Sequence, residues 1–273
     1  MQKVILITGA SSGMGKETAL RLIGEGHKVY AVARRLDKMQ DLAAKGGFPL
    51  QMDIAKENDI QSVVNHIVAK EGRIDVLWNN AGYGLFGTVE EVDLEAARKQ
   101  FEVNLFGLAS LTQKVIPLMR QAQQGTIINT SSMGGKMYSP LGAWYHATKH
   151  ALEGWSDCLR LELKAFNVHV VVLEPGIIAT EFGEVAGHPM LKYSGNGPYR
   201  QLAEAVDKAN RSFYEKPGAA SPASVIADTV SEIVRSNRPK TRYRVGKLAK
   251  PMVWVRLFLG DRIFDSAVMG IAK

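Results

Sequence analysis

The chain has almost no cysteine. Cys158 is the single one, so no internal disulfide can form and a secreted disulfide framework is excluded. Long apolar runs are also missing. No stretch approaches the ~20 apolar residues that cross a bilayer, and the run after Met1-Gln2-Lys3 is too short for a secretion-signal core. These absences lead to the expectation of a soluble, reduced, cytoplasmic protein, with Cys158 as a buried thiol in the helical pattern WSDCLRLEL. Glycine and proline are not in excess and charged residues make up 22%, which excludes global disorder. No histidine, cysteine and carboxylate cluster has metal-ligand spacing, so no metal is expected. The net charge of +7 is scattered except in RPKTRYRVGKLAK, and no nucleic-acid motif accompanies it, so nucleic acid is not expected as a partner.

What is present is an alternation. Short β-branched runs, apolar on both faces, fall at about 3–8, 28–33, 49–53, 74–78, 126–131, 168–174 and 241–245. Helical periodicity falls at about 14–25, 36–44, 56–71, 93–121, 143–166, 201–214 and 222–236. Such alternation implies right-handed parallel crossovers. The fold expected is therefore α/β: a doubly wound Rossmann-type domain with a seven-stranded, mainly parallel sheet and helices on both faces. No repeat or linker interrupts 1–273, so one domain is expected. A long glycine-rich loop at 183–200 opens a substrate region running to 215, and an apolar stripe marks a lid-like extension at 247–273.

The segment TGASSGMG joins the first strand to the first helix. Gly9, Gly13 and Gly15 permit the tight turn and the approach of a phosphate. Ser11, Ser12 and Met14 sit at the helix start, where unpaired N–H groups and the positive dipole end face an anion. At the end of the second strand an acid would accept from the ribose 2′-hydroxyl of NAD. Ala33 stands there instead, followed by Arg34 and Arg35, whose guanidinium forks suit a 2′-phosphate. NADP(H) is the cofactor expected, in preference to NAD, with Asp37 the nearby residue that opposes it.

Tyr145 and Lys149 lie four apart on a helical pattern, hence on one face. A phenol titrates near ~10; a neighbouring ammonium stabilises phenolate and makes proton exchange easier. Around this pair stand Ser132 at the end of GTIINTSS, Asn79-Asn80-Ala81-Gly82 after IDVLW, Asn104 in FEVNLFG, and Pro175-Gly176 after VHVVVLE. From residue 3 to about 182 the chain resembles the short-chain dehydrogenase/reductase family, whose motifs all occur in this order.

The resemblance implies roles. Tyr145 would be the general acid in reduction and the base in oxidation. Lys149 would lower its pKa and hold the nicotinamide ribose. Ser132, rather than its neighbour Ser131, would bond the substrate oxygen, and Asn104 would anchor a proton-relaying water. Asn80, Ala81 and Gly82 would line the adenosine-ribose side, and Asp53 and Ile54 would touch adenine. Pro175, Gly176, Ile178 and Thr180 would hold the carboxamide. The activity implied is interconversion of a ketone or aldehyde with an alcohol. A homodimer or homotetramer, paired through the helices at 93–121 and 143–166, is the assembly implied.

Substrate contacts are expected from Met133, Met137, Tyr138, Leu141, Tyr83, Leu85, Phe86, Met190, Leu191 and Tyr193, with Ser132 and Tyr145 at the reacting end. That lining favours a hydrophobic carbonyl substrate. His188, in the long loop, is within reach of substrate; His146 points away from its neighbour Tyr145 and is expected to pack or face solvent. The basic, apolar tail is read first as a lid or subunit contact and second as a membrane contact. Two other functions compete with the enzyme reading: a non-catalytic NADP(H) sensor, and an isomerase or dehydratase.

Overall fold

Strand β1 (Val4–Thr8) is buried at every position, which follows from its lying between two helix layers. The computed structural model describes residues 1–182, 190–216 and 218–271. Alternate residues of β1 feed two separate cores. Ile5 and Ile7 pack with Ala19, Leu22, Ile226 and Val230, whereas Val4 and Leu6 pack with Ile60, Leu111 and Leu159. Those partners identify the layers. Helices α1 (Gly13–Gly24) and α8 (Ser224–Arg235) cover one face. Helices α3 (Glu57–Glu71), α5 (Gly107–Gln121) and α6 (Ala143–Leu163) cover the other.

The sheet contains β2 (Lys28–Ala33), β3 (Phe48–Gln51), β4 (Val76–Asn79), β5 (Gly125–Thr130), β6 (Val168–Pro175) and β9 (Arg242–Val245) besides β1. Its order is β3-β2-β1-β4-β5-β6-β9, and every pairing is parallel. The strand order reverses between β1 and β4, so the loops beyond their carboxyl ends diverge and leave a crevice there.

Several elements differ from expectation. The helical stretch at 93–121 is two helices, α4 (Leu94–Phe101) and α5, joined by a π turn at Glu102–Phe106. The side chain of Asn104, inside that turn, is drawn to the main chain of Tyr83, and single π turns tend to mark functional sites. A small parallel pair, β7 (Ile178–Ala179) with β8 (Ser221–Pro222), was not foreseen. Short helix α2 (Gln40–Ala44) follows a 3-10 turn, and α7 (Arg200–Glu215) precedes β8.

The tail folds into two helices, α9 (Ala249–Phe258) and α10 (Asp261–Ile271). Cys158 corrects its expectation: it is exposed, because α6 turns Leu152, Ser156, Leu159 and Leu163 inward and carries 158 on the outer side. His188 lies outside the described residues, as does the rest of 183–189; the remainder of the expected loop is described, and 190–194 is helical rather than irregular. No helix among the described residues is long and apolar enough to cross a membrane.

Candidate active site

The crevice at the strand reversal is built by glycine. Gly9 and Gly13 adopt left-handed φ of +68° and +52°. A Cβ at position 15 would stand 2.4 Å from the Gly9 carbonyl oxygen, so only glycine lets α1 start this close to the turn. Thr8 fastens the opposite wall, its hydroxyl accepting from the N–H groups of Asn80 and Ala81 at 2.9 Å each. The resulting cleft, about 340 Å³, is lined by Gly9, Ser11, Ser12, Gly13, Met14, Arg34, Arg35, Asp53, Ile54, Asn80, Ala81, Gly82 and Thr180. Gly15 lies beneath it as a packing glycine. Asp37 is not part of the lining.

The Arg35 guanidinium reaches the hydroxyls of Ser11 and Ser12 at 3.4 and 3.5 Å and lies 3.7 Å from Glu181. The buried Asn80 Oδ1 has no partner among the described residues. An orphaned acceptor, a helix start and two exposed arginines in one cleft fit a dinucleotide.

A second cavity, about 250 Å³, adjoins the first; the two share Met14, Asn80, Gly82, Tyr83, Thr180 and Phe182. Tyr145 and Lys149 enter it from the first two turns of α6 and are both buried. Tyr145 is boxed by Phe86, Phe182 and His146, with ring centroids 5.4, 5.7 and 5.6 Å away. Burial among these rings pushes its phenol up to about 12, and the Ser132 hydroxyl opposes the rise. The Lys149 ammonium donates to the Thr130 carbonyl at 2.8 Å and lies 5.9 Å from the Tyr145 ring centre. Burial lowers it to about 8, with the Glu153 carboxylate pulling the other way. Lys149 is not among the causes acting on the phenol. The chain alone therefore holds both groups toward their neutral forms.

Ser132 follows β5, its hydroxyl accepting from Gly134 N–H at 3.0 Å. Ser131 lines the same cavity with a buried hydroxyl that has no partner among the described residues. Asn104 is engaged by protein: Oδ1 accepts from Tyr83 N–H at 3.1 Å, and Nδ2 donates to Tyr83 O at 2.9 Å and to the Thr148 hydroxyl at 3.2 Å. A Cβ on Gly82 would meet Asn104 Oδ1 at 3.1 Å and Lys149 Nζ at 3.7 Å, which places all three together.

The floor comes from Pro175, Gly176 and Ile178, and a Cβ on Gly176 would stand 2.0 Å from the Lys247 carbonyl oxygen. Of the expected substrate contacts, Tyr83, Phe86, Met133 and Met137 line the cavity; Tyr138, Leu141, Leu85, Met190, Leu191 and Tyr193 do not. Tyr138 turns outward onto the tail. Its ring packs edge-on against Phe264, the Arg256 guanidinium stands over it, and its hydroxyl donates to Asp265 at 2.9 Å. Leu141, Met190 and Leu191 form a separate small core with Ala203, and Tyr193 packs beside Leu85. Asn210, Phe213 and Tyr214, within the expected substrate region, and Met252, within the apolar stripe of the tail, also line the wall, together with Phe182, Leu248 and Val268, which no motif marks. Which side chains of those segments face the cavity is decided only when α7, α9 and α10 are folded over the site.

His146 was read as a packing or solvent residue. It packs, and it does more than fill space. Nδ1 donates to the Gly134 carbonyl at 2.9 Å and Nε2 accepts from Ser139 N–H at 3.0 Å. The imidazole thus clamps the 134–139 segment, just past Ser132, to the turn that carries Tyr145. Gly134 and Gly142 yield to it, since a Cβ at either would come within 2.8 Å of the ring.

A family model for short chain dehydrogenases matches residues 3–189. The Helicobacter pylori protein named "Probable short-chain type dehydrogenase/reductase VdlC" is 35% identical, over 96% of this chain and 94% of its own. The 3-ketodihydrosphingosine reductase of Bacteroides thetaiotaomicron is 32% identical, over 91% and 89%. A short-chain dehydrogenase structure from Streptomyces avermitilis superposes with a TM-score of 0.81 at 30% identity, over 94% and 93%.

Burial holds His146 down at about 4, against an ordinary 6.5. Above 6.5 folded and unfolded chains both carry it neutral. As pH falls from 6.5 toward 4 the unfolded chain takes up a proton that the folded one does not, so stability is lost over that window. His146→Leu orphans the buried Gly134 carbonyl and the half-buried Ser139 N–H and is expected to cost about 1–4 kcal/mol at neutral pH, while shedding this part of the acid sensitivity. Urea unfolding at neutral pH and near pH 4 checks both; an equal acid-induced loss in the variant and the parent would refute the assignment.

Proposed function

The chain belongs to the short-chain dehydrogenase/reductase family and is an oxidoreductase, and from that premise we propose that it is an NADP(H)-dependent reductase of hydrophobic ketones or aldehydes. One observation carries the reading: Tyr145, Ser132 and Lys149 converge in an apolar cavity that opens into the dinucleotide cleft. A bound nicotinamide would supply or accept hydride. Ser11, Ser12 and the start of α1 would hold its diphosphate, Arg34 and Arg35 the 2′-phosphate, and Asp53 and Ile54 the adenine side. Asn80, Ala81 and Gly82 would line the ribose side, and Pro175, Gly176, Ile178 and Thr180 the carboxamide.

In this reading Ser132 and Tyr145 bond the substrate oxygen, where negative charge grows as the carbonyl carbon becomes tetrahedral. Tyr145 then gives up its proton. A phenol held near 12 stays protonated at neutral pH and is a competent donor to an alkoxide, a far stronger base. Lys149, while cationic, stabilises the phenolate left behind. Asn104 fixes the Tyr83 main chain against the site and acts as a positioning residue.

The wall of Met133, Met137, Phe86, Phe213 and Met252 is apolar and adaptable, which supports a long apolar substrate. The relative from Bacteroides thetaiotaomicron is named for such a carbonyl compound. A homo-oligomer is proposed as well: α4 and the following turn expose Leu94 and Phe106 beside Trp144.

Tyr145→Phe is expected to lower kcat/KM by ~10²–10⁴ while NADPH binding persists. Turnover in a carbonyl panel, followed as NADPH loss, tests this, and its complete absence in the parent protein would favour a sensor instead. The Michaelis constant should be lower for NADPH than for NADH, and Arg34→Ala with Arg35→Ala should raise it roughly tenfold or more for NADPH alone; equal values for the two cofactors in the parent protein would reject the arginine argument. The pH profile of kcat/KM for reduction should fall above about 8, as Lys149 loses its proton. A flat profile through that region would contradict the role given to the ammonium.

A further inference from the structure

Helices α9 and α10 each have two faces with different tasks. Met252 and Val268 line the substrate cavity from within, and Val253 and Phe264 are fully buried beneath the helices. The outer face is apolar as well, which is not the arrangement of an ordinary surface helix. Trp254, Leu257 and Phe258 are 54%, 56% and 69% exposed, and Leu259 and Ile263 continue the patch through the turn between the helices. Lys250, Trp254, Leu257 and Phe258 fall at i, i+4, i+7 and i+8, one stripe of α9. The Trp254 and Phe258 rings lie 5.7 Å apart.

The unpaired charges around this stripe are mainly positive, three cations against the single carboxylate of Asp265. Asp261 is taken by Arg256 at 2.7 Å and Asp265 receives the Tyr138 hydroxyl at 2.9 Å. Lys247, Lys250 and Arg262 are exposed and make no ion pair among the described residues. Exposed aromatics beside unpaired cations complement the boundary of an anionic bilayer, where rings enter the headgroup layer and ammonium or guanidinium groups meet phosphate.

We propose that the outer face of α9 and α10 seats the protein on anionic lipid membranes as a peripheral, non-spanning contact. The same two helices wall the substrate cavity, so seating would bring a lipid-dissolved substrate to its edge. That delivery role rests on the function proposed above; the seating itself rests only on the surface.

Co-sedimentation of the full chain with vesicles tests it, comparing pure phosphatidylcholine with an equimolar mixture of phosphatidylcholine and phosphatidylglycerol. The chain should pellet with the anionic vesicles and far less with the neutral ones, and added salt should weaken the binding. Trp254→Glu with Phe258→Glu should abolish pelleting, and Lys250→Glu with Arg262→Glu should remove the preference for anionic lipid. Both double variants should keep the parent's turnover of a small water-soluble ketone, so a failed surface is distinguishable from a failed enzyme reading. A parent chain that stays in the supernatant with both vesicles overturns the proposal. So does an aromatic variant that binds as the parent does. Sedimentation velocity without lipid covers the remaining occupant: an oligomer that the aromatic variant dissociates would assign this face to a second copy of the chain.

Discussion

A buried phenol and a buried ammonium on consecutive turns of one helix impose the central constraint on this molecule. Neither charge is comfortable there: burial drives Tyr145 up to about 12 and Lys149 down to about 8. The surroundings compensate the ammonium locally. Its hydrogens find the Thr130 carbonyl at the end of β5, and Glu153, one further turn along α6, supplies a carboxylate that is itself buried and held by Lys136 and Arg242 at 3.1 Å each. Arg242 also reaches Glu174 on β6 at 3.3 Å, and Arg244 reaches it at 2.5 Å. The edge strand β9 is thus tied to α6 by charge and to β6 by its ladder as well. Breaking either end of such a network strands a buried ion, which costs far more than a surface pair returns.

The fold was legible because its signals are local. Strands buried on both faces read as continuous apolar runs, and helices covering them read as one-sided stripes, so a parallel sheet with helices on both faces followed from alternation, whereas the strand order is set by contacts between distant segments. The failures have a common physical origin in contacts between distant segments. The stretch around Asn104 has unbroken helical periodicity; the π turn is fixed by Tyr83, which lies 21 residues away in sequence. Cys158 sits in a helical repeat whose phase alone decided its exposure, and a single residue's phase is poorly defined by pattern. Strands β7 and β8 are two residues each, too short to carry any period.

The same division runs through the site. Glycines at the phosphate turn and the tyrosine–lysine spacing are local, and the structure brings those residues together around two adjoining cavities. The lysine's expected effect on the phenol was a statement about electrostatics in place, and the causes found on the phenol are burial, the Ser132 hydroxyl and Tyr214. The substrate wall was half legible: apolar residues near the motifs were credited, but apolar character does not say which cavity a side chain serves. Tyr138 and Leu141 fill other contacts, while Met252 and Val268, more than a hundred residues on, face the reacting end.

His146 shows why adjacency to a proposed catalytic residue is ambiguous in sequence. Successive helical side chains point about 100° apart, which argues against a shared chemical task and leaves open a mechanical one. Here the imidazole is neutral, buried and bonded at both nitrogens to the segment that begins at Ser132. Tyr145 is fixed by α6 and Ser132 by the end of β5; their separation depends on how the 133–142 segment is pinned between those elements. A side chain one residue from the phenol does that pinning, so positional error in the proposed proton donor and in its proposed partner is correlated rather than independent. Catalysis that tolerates only small misplacement of reacting groups gains more from such correlation than from rigidity in either element alone.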